Sequence, residues 1–332
     1  MLRMDGFDYL HAATPEEAVA LWHGHDDAMY VAGGTDILPN LKHRIFRPRH
    51  LVGIANALPS GWTTEDGHLV IGAGTRLSDL ARCDEIPMLA TAAACIAGPQ
   101  IRNMGTLGGN VLLDTRCLFY NQTEFWRESL GYCLKAEGTW CHVVGGPKTC
   151  VATQSSDTVP ALMALGASIR VLGPHGSRDL LLTDLFQFNG MDHLKVTQGE
   201  LITHVIVPRP GASHRGSYQK VRTRGAIDFP QLSIAISGTF RGLGADCTAE
   251  SLQIVIGAIN PQPKPLPGLA PFQGATLDDE TIDAIGEVAY KRCRPQASVH
   301  GEPTWRRAMA RVLVKRALQA LRSDEDVPAE GT

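Results

Sequence analysis

Cys117, Cys133, Cys141 and Cys150 are separated by fifteen, seven and eight residues. A thiolate on a metal must be deprotonated and held within about 2.3 Å of an ion such as zinc, and four such ligands can order a segment that lacks a core of its own. Residues of about 112–152 fit that description. No helix or strand period is sustained there, yet Phe119, Tyr120, Phe125, Trp126, Tyr132 and Trp140 crowd into it, too many aromatics for a disordered linker. The spacing contains no C-x-x-C pair, so it follows neither zinc ribbons nor the common ferredoxin runs. On residue types alone the four are a metal or cluster site, or free and redox-active thiols. The flanking aromatics would either exclude water from a cluster or form a small core. Cys83, Cys95, Cys247 and Cys293 have no such company and read as buried structural thiols, and His142 reads as a neighbour of the site rather than a ligand.

Two glycine-bearing segments could do a different kind of chemistry. Ala32-Gly33-Gly34-Thr35-Asp36 follows an apolar run and precedes a short helix, so its amides can converge on an anion such as a pyrophosphate. It is not G-x-G-x-x-G, which argues against a doubly wound nucleotide fold. Gly105-Thr106-Leu107-Gly108-Gly109-Asn110 is a second such segment, with Thr106 and Asn110 able to bond phosphate or ribityl oxygens. Each alone could be a tight turn. Together they suit an extended diphosphate held from two sides. Asp157 precedes a helix whose first turn holds Pro160 and reads as a cap. Lys220, Arg222 and Arg224 alternate along a strand after Tyr218 and before Asp228, so they would share a face, either neutralising a ligand or forming a solvated edge. Arg306, Arg307, Arg311, Lys315 and Arg316 give the last helix a basic side.

The elements that must position these residues follow from apolar period and punctuation. Thr14, Pro15 and Glu17 open a first helix, with Thr14 as cap and Glu17 bonding back. Strand 29–32, helix 37–42 and strand 50–54 make a small first unit. A second begins with strand 69–71 and continues through helices 77–81 and 88–97, a glycine loop over 98–110, helix 161–167 and strands 168–172 and 204–208. After Arg209-Pro210-Gly211, strands 231–240 and 252–256 precede helices 279–292 and 304–321, an α+β arrangement. These mark units 1–58, 59–210 with its insert at about 112–152, and 211–322, followed by an acidic tail at 323–332. The chain has 332 residues, is 44% hydrophobic and carries a formal charge of −3. Its pI near 6.5 offers no reason to bind nucleic acid or an anionic membrane. With no export signal or membrane-length apolar run, a cytoplasmic, reducing setting is expected, in which the eight cysteines stay free of disulfides and the sequon-like 121–123 is ordinary loop.

Ala32 to Asp36, Gln100-Ile101-Arg102-Asn103 through Asn110, Asp157 to Leu162, Gly199 to Ile202, and Tyr218 to Pro230 together resemble the FAD-binding subunits of the xanthine dehydrogenase and carbon monoxide dehydrogenase family, the molybdenum hydroxylases. The resemblance runs nearly the whole chain. It implies a two-part FAD-binding domain and a C-terminal α+β domain. The segment beginning Asp114-Thr115-Arg116-Cys117, and including Gly131-Tyr132-Cys133 and Cys141-His142-Val143, resembles the insert of 4-hydroxybenzoyl-CoA reductase β subunits, where such cysteines bind a [4Fe–4S] cluster. By that resemblance Val31, Ala32, Gly33, Gly34, Thr35, Asp36 and Ile37, with Thr106, Gly108, Gly109 and Asn110, would hold the FAD phosphates and ribityl. Gln100, Asp157 and Lys220 would contact the rest of the nucleotide. Cys117, Cys133, Cys141 and Cys150 would be the cluster ligands. The implied role is electron transfer in a dimer of heterotrimers, with a [2Fe–2S] small subunit and a molybdenum-cofactor large subunit that dehydroxylates an aromatic thioester. A donor such as ferredoxin would supply the electrons. No residue of this chain is read as a catalytic acid or base. An oxidative hydroxylase passing electrons to NAD or another acceptor, and a non-catalytic protein with structural zinc, are the alternatives.

Overall fold

The computed structural model describes residues 2–324. Its first unit is built as the capping residues require. Thr14 Oγ1 accepts from the Glu17 amide at 3.1 Å while Glu17 Oε2 accepts from the Ala13 amide at 2.7 Å, and helix Pro15–His23 starts on that reciprocal pair. Three parallel strands lie beside it, His50–Gly53 in the centre between Asp8–His11 and Ala28–Val31. Strand Ala28–Val31 delivers the chain into Gly33 and Gly34, and helix Ile37–Lys42 follows.

The second sheet is antiparallel, in the order Trp62–Glu65, His68–Gly72, Leu201–Pro208, Ser168–Gly173, Gly176–Leu181. Its inner strands carry the apolar residues, and Ile71, Ile169, Val171, Val205 and Val207 are fully buried. The two outer strands, absent from the sequence reading, are mostly exposed and polar. Trp62–Glu65 is joined to its partner across Asp66 and Gly67, both at positive φ, the backbone a two-residue hairpin demands. Tyr30 OH donates to Gly199 O at 2.7 Å, tying the start of strand Leu201–Pro208 to the first sheet.

A third sheet, antiparallel, is formed by His214–Val221, Leu232–Arg241 and Thr248–Gly257, with the short Lys264–Pro265 and Ala275–Thr276 on its far strand. Alternation divides its strands between two cores. Leu232, Ile234 and Ile236 join the core under helices Asp279–Arg292 and Pro303–Ser323, whereas Ala235 and Val255 join the core shared with the second sheet. Helix Thr158–Ala164 lies in that shared core with all seven residues buried. The stretch 98–110 is not the continuous loop expected, since Pro99–Arg102 and Leu107–Val111 are short helices, and the helix before it, Pro87–Ala94, ends early. Among the described residues, no helix is long and apolar enough to cross a membrane. Ser323 closes the last helix; the rest of the expected tail, 325–332, lies outside the described residues.

Candidate functional site

The two glycine segments meet face to face. A Cβ on Gly33 would lie 1.9 Å from the Met104 carbonyl oxygen, so the first segment rests directly on the backbone leading into the second. Gly34 takes φ +73°, a conformation that favours glycine. Beside this contact opens a mostly apolar cavity of about 350 Å³, within the range of small-molecule sites. Val31, Ala32, Gly33, Gly34, Thr35, Asp36, Ile37, Thr106, Gly108, Gly109 and Asn110 all line it. So do Ile96, Ala97, Asp114, Glu200, Leu201, Ile202 and Phe229. Of these, 200–202, Phe229 and Asp114 belonged to motifs visible in the sequence; Ile96 and Ala97 are apolar residues whose place depends on packing.

Two polar residues of the second segment are committed differently from expectation. Thr106 Oγ1 accepts from the Gly109 amide at 3.2 Å and caps helix Leu107–Val111. Asn110 Oδ1 accepts from Ser156 Oγ and Thr158 Oγ1, both at 2.6 Å, and from the Thr158 amide at 3.3 Å. The Asn110 carbonyl therefore ties the glycine segment to the Asp157 motif.

Gln100, Asp157 and Lys220 do not line the cavity. Gln100 is exposed on Pro99–Arg102. Asp157 makes no side-chain cap; its Oδ1 accepts from Tyr218 OH at 2.6 Å and its Oδ2 from Lys220 Nζ at 3.0 Å. Lys220 also donates to Cys95 O at 2.9 Å. Burial drives the Asp157 carboxyl up, opposed by the Lys220 charge, and drives the Tyr218 phenol well above its ordinary range. The three cations divide: Lys220 and Arg222 project together onto Cys95 O, and only Arg224 turns away. The strand ends at Val221; Lys220 is fully buried, Arg222 donates to Cys95 O at 3.1 Å, and Arg224 pairs with Asp228 at the surface. Removing one partner of a buried pair strands the other, so Lys220→Met is expected to cost about 3–5 kcal/mol. Urea denaturation measures it, and a loss below about 1 kcal/mol would show that the pair is dispensable.

The four central cysteines come together. Cys117, Cys133, Cys141 and Cys150 are all buried and line one small pocket with Phe119, Tyr120, Lys135, His142 and Val143. Among the described residues no three His, Cys, Asp or Glu side chains gather closely enough for one metal ion. Burial, then mutual repulsion with Cys133, Cys150 and Cys141, pushes the Cys117 thiol up to about 12. Burial also raises Cys150, against the pull of Lys135. Thiols so placed stay protonated unless a cationic centre compensates them. His142 Nε2 lies 3.0 Å from Tyr132 O and so has a backbone partner.

A four-residue partition separates the two sites. Asp114 lines the glycine cavity and Cys117 lines the thiol pocket. Between them Thr115 Oγ1 donates to Gly190 O at 2.6 Å. Arg116 pairs with Asp36 of the first glycine segment, its guanidinium 4.0 Å above the Phe229 ring, and burial lowers its pKa to about 10. The Arg116 backbone exchanges hydrogen bonds with Thr153, which bonds Ser298 Oγ at 2.6 Å, and Leu118 N donates to Ser298 O at 2.8 Å. The third unit thereby braces the segment that carries Cys117.

His193 Nε2 lies 3.2 Å from Leu113 O, behind this partition, and burial lowers its pKa to about 4. The unfolded imidazole titrates near 6.5, so between these values the unfolded chain binds the extra proton and stability rises with pH. Lowering the pH from 6.5 to 4 should thus remove about 3 kcal/mol, and a His193→Asn variant should show a flatter profile by denaturation at each pH. Equal slopes in the two proteins would assign the acid sensitivity elsewhere.

Residues 5–210 match the family model described as FAD binding domain in molybdopterin dehydrogenase, and 216–321 the one described as CO dehydrogenase flavoprotein C-terminal domain. The chain is 34% identical over 247 residues to the aldehyde oxidoreductase FAD-binding subunit PaoB of Escherichia coli (strain K12), covering 70% of this chain and 77% of that one. It is 28% identical to the carbon monoxide dehydrogenase medium chain of Afipia carboxidovorans, over 94% of this chain and 96% of that one. Among solved structures, a carbon monoxide dehydrogenase from Hydrogenophaga pseudoflava lacking the Mo-pyranopterin moiety superposes with a TM-score of 0.77 at 26% identity, covering 96% of this chain and 98% of its counterpart.

Proposed function

Because this chain belongs to the family of FAD-binding oxidoreductase subunits of the molybdenum hydroxylases, we propose that it is an electron-transfer subunit holding FAD in its glycine cavity and a [4Fe–4S] cluster among Cys117, Cys133, Cys141 and Cys150. The observation that carries the second half is the convergence of four buried thiols, from four points along the insert, on one pocket only three residues from an FAD-cavity residue. The donor set, four soft sulfur ligands behind an apolar aromatic wall, suits such a centre. Bound FAD would supply one- and two-electron exchange, and the cluster one-electron exchange.

The residues of the chain bind and insulate. Gly33 and Gly34 let the backbone approach the diphosphate, with Thr35 and Asp36 beside them, while Thr106, Gly108, Gly109 and Asn110 close the other side. Gln100, Asp157 and Lys220 remain part of the proposed flavin set, the latter two as a buried pair whose aspartate lies between Ser156 and Thr158, the residues that bond Asn110. Phe119 and Tyr120 keep water from the thiols. We divide the chain at 1–58, 59–210 and 211–322. We place it in the cytoplasm, in a dimer of heterotrimers with a molybdenum-cofactor large subunit and a [2Fe–2S] small subunit, supplied by a donor such as ferredoxin. The reductive dehydroxylation of an aromatic CoA thioester rests on the likeness of the 112–152 insert to that of the 4-hydroxybenzoyl-CoA reductases. A second reading, oxidative hydroxylation with electrons passed to NAD or another acceptor, is favoured by the dehydrogenase and oxidoreductase names of the relatives.

Anaerobic isolation of the native complex, with flavin, iron and acid-labile sulfide assayed on this subunit, tests the proposal. Stoichiometric flavin with both iron and sulfide supports it; flavin without iron would leave an FAD subunit alone. Turnover of aromatic CoA thioesters against turnover with oxidised acceptors separates the two readings.

A further inference from the structure

Lys135 is the one cation among the side chains lining the thiol pocket, apart from a histidine, and its side chain is only 5% exposed. Its Nζ donates to Asp114 Oδ1 at 2.6 Å, to Thr115 O at 3.2 Å and to Thr115 Oγ1, and lies 4.7 Å from the Tyr120 ring centroid. An ammonium has three N–H donors, and these three acceptors use them all. Lys135 therefore has no proton to spare for a sulfur and can act on the pocket only through its charge. Its main counter-charge, Asp114, stands in the wall of the other cavity. One ion pair, buried at its lysine and half-buried at its carboxylate, thus spans the partition, with its positive end toward the thiols and its negative end toward the flavin site. The buried ammonium is weakly screened, so its field reaches the thiols at physiological salt, while the half-buried carboxylate is screened more.

We propose that Lys135 is a charge-setting positioning residue: its ammonium stabilises the added negative charge of the reduced four-thiolate centre and raises that centre's potential, while Asp114 partly offsets it. This rests on the assignment of an iron–sulfur cluster to the four cysteines. Removing the cation must then lower the cluster's midpoint potential, and removing the carboxylate must raise it. Lys135→Arg keeps the charge and the sign of the effect.

EPR-monitored redox titration of the [4Fe–4S] signal in the intact anaerobic complex reads this directly, with the iron content of this subunit, separated from its [2Fe–2S] partner, measured for every variant. Lys135→Met is expected to shift the one-electron equilibrium at least tenfold toward the oxidised cluster, about 59 mV. Asp114→Asn is expected to shift it the opposite way, and Lys135→Arg to stay near the wild-type value. A Lys135→Met protein that keeps its iron and its midpoint would overturn the proposal, since a purely structural lysine predicts that result. Should Lys135→Met lose its iron, the Asp114→Asn titration decides: a rise supports the proposal, and no rise overturns it. Iron and sulfide content of the wild-type subunit, assayed apart from the [2Fe–2S] partner, reports separately on the cluster assignment, and its absence would remove this proposal with it.

Discussion

Adding a single methyl group at position 33 is expected to strip the chain of its flavin. In Gly33→Ala the new Cβ would sit 1.9 Å from the Met104 oxygen and 2.5 Å from its carbonyl carbon, with the Gly105 nitrogen at 3.2 Å. None of these atoms belongs to a flexible side chain. The Met104 carbonyl is held by the Arg76 guanidinium, and Gly105 is pinned on both sides, its amide on Ile101 O at 2.7 Å and its carbonyl by the Leu77 amide at 3.0 Å. Relief requires the two glycine segments to separate, and a ligand gripped by both then loses one wall. An affinity loss of at least about a hundredfold, or about 2.7 kcal/mol, is the expected size. Flavin absorbance of the purified variant and titration of deflavinated protein with FAD measure it. Gly211→Ala, whose Cβ would meet open space, should bind as wild type. Undiminished FAD in Gly33→Ala would mean that the two segments do not work as a pair.

Cys133→Ser should lose its iron and keep its flavin. Cys133 is buried in the pocket wall, and the small cluster it belongs to has only Cys117, Tyr120, Cys150 and Ala152 as its other buried members. On the proposed assignment, a cluster held by the thiols would add to the stability that this small core and its partly buried neighbours give the segment. The cluster EPR signal should vanish, and proteolysis within 112–152 should quicken, while the flavin spectrum persists. Gly190→Ala approaches the same site from outside. Its Cβ would stand 2.7 Å from Cys150 Sγ and 2.7 Å from Ala152 N, so iron content should fall with all four thiols still present. Retention of both iron and flavin by Cys133→Ser would end the ligand assignment.

The sequence carried whatever depends on near neighbours. Strands Leu232–Arg241 and Thr248–Gly257 were legible because their apolar residues recur with the pleat, and helix Asp279–Arg292 because its apolar residues recur with the turn. The reciprocal cap at Thr14 and Glu17 was legible for the same reason, since its partners are three residues apart. Strands Trp62–Glu65 and Gly176–Leu181 were not, because edge strands facing water have no apolar side to alternate.

Residue type alone determined that this chain owns four clustered thiol donors and two backbones able to approach an anion. The tertiary structure decided what those residues face. Asp157 and Lys220 are 63 positions apart and became a sealed pair only when the third sheet closed over helix Thr158–Ala164; Asn110 gave its carbonyl to Ser156 and Thr158, 46 and 48 positions on. Burial and electrostatic partnership arise from segments remote along the chain, and no local pattern encodes which of them will meet.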